Sequence, residues 1–123
     1  MGLRTARKID KPWGHEEIFA ETGTYVGKIL VIRAGHALSL QFHEVKEETL
    51  RVLDGELDMI TGPDIENLRP IRMTAGVVFH VAPGELHRMV AVTDCSLLEV
   101  STNHLDDVVR LEDRYGRQGT SAP

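Results

Sequence analysis

Gln41, His43 and Glu48 fall within eight residues of one another, and His87 follows further downstream. An amide, two imidazoles and a carboxylate are the donor types of a mononuclear nitrogen–oxygen metal site. With both imidazoles neutral, a divalent ion bound by this set keeps excess positive charge and open coordination positions for water or substrate. Zinc, manganese, iron, cobalt and nickel all accept such ligands, and the residue types do not choose among them.

Two strands and the turns beside them must bring these four residues together. Ser39, Gln41 and His43 share one parity, so one strand face carries polar side chains. After a turn at Glu44 to Glu47, Glu48, Leu50 and Val52 face one way and Thr49, Arg51 and Leu53 the other. Asp54-Gly55 predicts a hairpin, with Glu56 to Thr61 as its return strand. Val77 to Val81, Arg88 to Val92 and Ser96 to Ser101 read as further strands, the first two separated by Ala82-Pro83-Gly84. Upstream, YVGKILVIR from Tyr25 to Arg33 alternates and places Lys28 on an otherwise apolar face. Lys28 therefore either snorkels out at the edge or points into a cavity that accepts a cation. Residues 62–72 hold two prolines and read as a surface loop, and Asp106 to Arg114 reads as a short helical turn. Residues 1–10 are expected to form a loose basic arm, with Trp13 pinning the arm to the body, and residues 118–123 a polar tail. Short strands with Gly/Pro turns and almost no helical periodicity predict one all-β domain over residues 1–123. It is an antiparallel sandwich or barrel of about eight to eleven strands, with edges available for homodimer pairing.

Composition narrows the partners. The chain has 123 residues, 14 Lys and Arg against 19 Asp and Glu, and a formal charge of −5. No basic stripe exists to neutralise a phosphate backbone, so a nucleic-acid partner is not expected. No apolar run approaches the roughly 18 residues of a membrane span. The N-terminus lacks the apolar stretch of a signal peptide, and Ala6 breaks the myristoylation pattern. A cytoplasmic protein is expected. Cys95 is the only cysteine, which permits no internal disulfide and reads as a small buried side chain.

The spacing around the four donors is specific. It runs Gly35, five residues, Gln41, one residue, His43, four residues, Glu48, six residues, Gly55. Downstream it runs Gly76, five residues, Ala82-Pro83-Gly84, two residues, His87. This pattern resembles the paired signature of the cupin superfamily, Gly-x5-His-x-His-x3-4-Glu-x6-Gly and Gly-x5-Pro-x-Gly-x2-His-x3-Asn. Gln41 stands where the first His is usual, and Ala82 and Ala91 replace the Pro and the Asn. KPWG at residues 11–14, GHALSLQFH at 35–43 and EDRYGR at 112–117 resemble the C-terminal domain of type II mannose-6-phosphate isomerases. That family's segment after SLQ reads approximately x-His-His-His-Arg-Ala-Glu-His-Trp. Here His43 and Glu48 are kept, Lys46 replaces the Arg, and Val45, Thr49 and Leu50 replace a His and the His-Trp pair. No pyrophosphorylase domain and no GlyxGlyThr-type nucleotide loop accompanies the segment, so a stand-alone domain is expected.

The resemblance implies a jelly-roll (double-stranded β-helix) barrel with one divalent ion on Gln41, His43, Glu48 and His87, acting on a sugar phosphate. A Gln in place of His makes the ion a better Lewis acid and a weaker electron donor, which favours polarising a carbonyl over activating dioxygen. Aldose–ketose isomerisation also needs a base near the substrate carbon. Lys28, Lys46 and Glu47 are candidate catalytic groups, and His36, Glu44, His80 and His104 are also conceivable bases. His80, in an apolar strand, reads first as structural. Lys28, Lys46 and Arg88 are candidate phosphate ligands, with Arg110 and Arg117 more remote. Arg88 is out of parity with His87, which makes it at best a rim contact. A non-catalytic sugar-binding cupin and another small-metabolite cupin enzyme, such as a dioxygenase or decarboxylase, are the alternatives to an isomerase.

Overall fold

The computed structural model describes residues 2–119. Its elements are β1 (Arg7–Lys11), β2 (Gly14–Glu21), β3 (Tyr25–Ile32), β4 (Leu40–Phe42), β5 (Glu48–Asp54) and β6 (Leu57–Gly62). They continue with β7 (Arg69–Met73), β8 (Val78–Val81), β9 (Leu86–Ala91), β10 (Cys95–Thr102) and β11 (Val109–Glu112). No helix occurs among the described residues, and none is long and apolar enough to cross a membrane. Six strands pair in the order β1-β2-β3-β10-β5-β8 and five in the order β11-β4-β9-β6-β7. Every pairing between these strands is antiparallel.

Alternation sets the inner faces. On β3, Val26, Lys28, Leu30 and Ile32 are all buried. Cys95, Leu97, Glu99 and Ser101 are buried on β10, and Glu48, Leu50 and Val52 on β5. Leu97 pairs with Leu30 on one side and Val52 on the other, and the second sheet covers this layer with Leu57, Met59, Met73 and Met89. Further along the same strands the interior changes character. Glu99 pairs with Lys28, and Ser101 pairs with Glu48. One end of the sandwich is hydrocarbon and the other is lined with charge.

KPWG makes the first turn. Lys11 pairs with Gly14, leaving Pro12-Trp13 as the loop, and Trp13 is buried in the core. Gly14 is packed so closely on β3 that a Cβ there would lie 1.9 Å from the Val31 carbonyl oxygen.

The structure corrects several expectations. Residues 7–11 form β1 rather than part of a loose arm, and β2 follows where no strand was expected. The stretch read as a loop over 62–72 ends in β7, and the segment read as a helical turn contains β11. Asp54-Gly55 is not a hairpin: β5 and β6 lie in different sheets, so the chain changes sheet there. Gly55 takes φ +78°, and a Cβ on it would lie 2.2 Å from the Asp94 carbonyl oxygen. The expected tail lies outside the described residues from residue 120 onward.

Candidate metal centre

β4 is short, and its Gln41 has His87 of β9 as register partner on one side and Arg110 of β11 on the other. His43 leaves the end of β4, and Glu48 opens β5 in the opposite sheet. The loop between them is tied down by Asp107, whose carboxylate accepts hydrogen bonds from the backbone N–H groups of Glu44 (3.0 Å), Val45 (2.7 Å) and Lys46 (2.8 Å). Burial acts against the Asp107 charge, but these three donors and the nearby His43 hold its carboxyl below the usual range.

His43, Glu48 and His87 each offer one ligand atom within 4.8 Å of the others, and all three are buried. Nε2 of His43 is 3.6 Å and Nε2 of His87 3.4 Å from the same oxygen, Oε1 of Glu48. The ring centroids are 5.1 Å apart. The other ring nitrogens fix the tautomers. His43 Nδ1 lies 2.5 Å from the Asp107 carbonyl oxygen, and His87 Nδ1 2.9 Å from that of Glu85. A carbonyl only accepts, so each Nδ1 carries the proton and donates. In the neutral rings both Nε2 atoms are then bare lone pairs aimed at a carboxylate oxygen. Three electron-rich atoms converging in a buried space repel one another unless a cation sits among them. The donor set therefore fits a divalent ion, and Gln41, in register with His87 and lining the adjoining cavity, carries an amide oxygen that would be a fourth donor.

Glu48 is divided between two tasks. Its Oε2 lies 3.0 Å from Lys46 Nζ, which leaves Oε1 for the two histidines. Burial would raise the Glu48 carboxyl; without an ion, a proton on either Nε2 donates to it and, with the Lys46 charge, holds it well below the ordinary value. Burial would lower Lys46, but Glu99 (3.2 Å) and Glu48 hold it well above its ordinary value. Lys28 completes the network, 3.4 Å from Glu16 and 3.9 Å from Glu99. Burial first, and then Glu48, push the Glu99 carboxyl up.

The cavity beside this trio has about 60 Å³ of room for solvent, several waters at about 10–15 Å³ each. Lys28 lines it rather than snorkelling out, and Lys46 lines it too. Arg110 and Arg117, ranked remote in the sequence, also line it, as does Lys11. Other expected residues lie elsewhere. Glu47 is exposed and sits 2.8 Å from Nε2 of His80 on the outer surface, where Thr49 meets the other ring nitrogen at 3.0 Å. Glu44 is exposed on the loop, and His104 bonds to Thr102 (2.8 Å) outside the cavity. His36 stacks on Tyr115 at 6.0 Å between centroids and lies 2.7 Å from its hydroxyl. Arg88 donates to the carbonyls of Leu38 (2.9 Å) and Glu112 (3.3 Å), so it braces strands and does not line the cavity.

Glu16, Glu99 and Asp107 were missed in the sequence. Glu99 carried a signal: it shares the parity of Leu97 in a run of apolar residues, so a buried charge was implied opposite Lys28.

The fold and site define a cupin: two antiparallel sheets closed around a His/Glu/His cluster. An RmlC-like cupin from Desulfovibrio desulfuricans has the same fold, with 22% identity and a TM-score of 0.62 over 79% of this chain and 83% of that one. More narrowly, residues 2–113 match the family described as mannose-6-phosphate isomerase C-terminal, and the chain belongs to that family. It is 28% identical over 116 residues to the xanthan biosynthesis protein XanB of Xanthomonas campestris pv. campestris, covering 90% of this chain and 24% of XanB. It is 30% identical over 119 residues to a mannose-1-phosphate guanylyltransferase of Escherichia coli K12, covering 93% of this chain and 24% of that protein. The chain thus spans about a quarter of the length of the curated relatives it matches.

Proposed function

We propose that this protein is a metal-dependent sugar-phosphate isomerase of the cytoplasm, acting first on mannose 6-phosphate and fructose 6-phosphate. The observation that carries this reading is the convergence of two bare Nε2 atoms and one carboxylate oxygen beside a cavity rich in cations. Family membership and the mannose phosphate chemistry named for both the family and the guanylyltransferase relative support the substrate class.

His43, Glu48, His87 and Gln41 would hold one divalent ion, which when bound supplies Lewis-acid polarisation of the sugar's C1–C2 oxygens. The chain's own groups do the rest. Isomerisation moves one carbon-bound proton between C2 and C1 and one hydroxyl proton between O2 and O1 through an enediol, which requires a base able to accept and return the carbon-bound proton. Lys46, held as an ammonium between Glu48 and Glu99, is an acid and not a base. We assign the shuttle to Glu16, which lines the cavity and has Lys28 at 3.4 Å to steady its charge. Lys28 and Lys46 are each already matched by carboxylates, so their part is to balance the interior.

The test incubates metal-loaded protein with mannose 6-phosphate in heavy water and follows deuterium at C2. Exchange is expected in the wild type and is expected to vanish in Glu16→Gln with metal content unchanged. Binding without exchange would make the protein a sugar-binding cupin, and neither binding nor exchange across a panel of sugar phosphates would remove the reading.

A further inference from the structure

The two sheets end in four edge strands, β1 and β8 in the larger and β11 and β7 in the smaller. An edge offers a row of unpaired N–H and C=O groups on which another strand can form, and charge, proline or a bulge normally guards it. Three of the edges are guarded. β1 reads RKIDK, charged at every position but Ile9. β7 carries Pro70 together with Arg69 and Arg72. β11 is broken by a register shift between Arg110 and Glu112. β8 has neither lysine nor proline, and its register with β5 runs unbroken from Val78 to Val81. Nothing among the described residues covers it. Val78 is 58% exposed, and His80 and residues 74–77 are exposed too.

The register decides which backbone groups of β8 are free. Val52 N donates to the Val77 carbonyl (3.0 Å), so the hydrogen-bonded pairs with β5 fall on Val77, Phe79 and Val81. Backbone groups alternate in direction along a strand, so those of Val78 and His80 point away from β5. A second copy of β8 has free groups at the matching positions. With the two strands antiparallel about a two-fold axis at Phe79, Val78 of each copy lies opposite His80 of the other, and each such pair closes both of its hydrogen bonds. Phe79 then faces its own counterpart in a non-hydrogen-bonded pair, where side chains approach most closely.

Charge obeys the same symmetry. On the outer face His80 stands beside Thr49 and Val78 beside Arg51. Glu47 lies 2.8 Å from His80 and so adds a carboxylate to the His80 row. In the paired arrangement that row continues into Val78 and then Arg51 of the second copy. Arg51 there is two strand spacings, about 10 Å, from His80, a gap that the Glu47 and Arg51 side chains span from its two ends. Within its own chain Arg51 is exposed and makes no ion pair among the described residues. The two-fold axis repeats the match on the other side.

We propose that β8 is the edge through which two copies of this protein associate, joining their larger sheets into one continuous antiparallel sheet. Of the edges expected to serve homodimer pairing, β8 is the one whose backbone, side chains and charge are self-complementary. The contact uses the same patch on both copies, so it closes at the dimer. It is built on a strand of 4 residues, which places it among small, reversible interfaces with a dissociation constant on the order of 10 µM.

Sedimentation velocity of the full chain, from roughly ten-fold below to ten-fold above that value, is expected to show monomer giving way to dimer. Val78→Pro deletes an N–H that points away from β5, so it spares the internal ladder and should abolish the dimer. Arg51→Glu sets like charges together and should weaken association roughly ten-fold or more. Adding Glu47→Lys restores opposite charges in swapped order and should recover most of that loss. The swap guards against a folding defect in Val78→Pro, and the fluorescence of the buried Trp13 checks the fold of every variant. A wild type that stays monomeric throughout would overturn the proposal. A dimer that survives both Val78→Pro and Arg51→Glu would do the same, as would a loss in Arg51→Glu that the charge swap leaves uncorrected.

Discussion

Lys46→Met tests whether the charged half of the interior is built as a compensated network. Lys46 Nζ is 3.0 Å from Glu48 and 3.2 Å from Glu99, and the three side chains are 7%, 4% and 5% exposed. Methionine preserves much of the hydrocarbon stem but removes the charge. Deleting one partner of a buried pair costs about 3–5 kcal/mol, because the other charge is left without compensation. Here two carboxylates are left facing each other, so the upper part of that range is expected. For a domain of this size the loss corresponds to a fall in Tm of about 10–20 °C. Urea unfolding read by the fluorescence of Trp13, the only tryptophan and a buried one, measures it directly. Two further arms give the sign. Adding Glu99→Gln should return most of the lost stability, since it removes one stranded carboxylate. A divalent ion should reduce the loss, since it supplies positive charge beside Glu48. A cost below about 1 kcal/mol, the range of exposed pairs, would refute the reasoning, and so would a double variant less stable than Lys46→Met.

Three other outcomes are expected. His87→Ala should lose most bound metal in elemental analysis, while His36→Ala and His80→Ala keep it, because those rings face Tyr115 and Glu47 outside the cavity. Cys95, whose thiol burial pushes up to about 11 with help from Asp54 and Asp94, should be about one part in a thousand thiolate at pH 8. It should therefore react with a thiol reagent only as fast as the protein unfolds, and rapid reaction in native buffer would contradict its burial. Asp107→Ala should cost about 1–3 kcal/mol for the three backbone bonds it forfeits. Because the folded Asp107 carboxyl lies below its ordinary range, its contribution is present above that range and is lost as pH falls through the folded value. The gap between wild type and Asp107→Ala should consequently narrow in acid, as measured by urea unfolding across pH.

The most legible strands keep at least two apolar residues at inward positions beside their buried charges Lys28, Glu48 and Glu99. β3, β5 and β10 alternate cleanly because each is covered on one side and paired on both edges. The missed strands β1, β7 and β11 are three of the four sheet edges. An edge strand needs neither strong alternation nor high β-propensity, and β7 even carries Pro70, which an edge tolerates. β2 is interior, but its buried positions are Gly14, Glu16 and Ile18, which leaves a single apolar side chain and no pattern to reveal it. The Asp54-Gly55 pair was a sound turn signal, yet a turn dipeptide does not specify whether the next strand returns beside the last or crosses to the facing sheet.

The same distinction governs the site. The spacing of His43, Glu48 and His87 was readable because side chains that could share one ion must hold fixed positions on short elements. What surrounds them was not, because each compensating partner arrives from a different strand: Glu16 from β2, Lys28 from β3, Glu99 from β10 and Arg110 from β11. A charge on an inward face announces only that a partner exists. Its identity depends on register, as in the pairing of Glu99 with Lys28. Within this network Lys46 and Lys28 are matched to carboxylates, and both Nδ1 protons are matched to carbonyls. The two Nε2 atoms and Glu48 Oε1 are the group whose electrostatics the protein leaves open. Buried lone pairs set against one another destabilise a fold in proportion to how rigidly they are held, and Asp107 and Glu85 hold these rigidly. The apolar end of the barrel supplies the stability that tolerates this, and the polar end gathers a His/Glu/His group that could hold a cation.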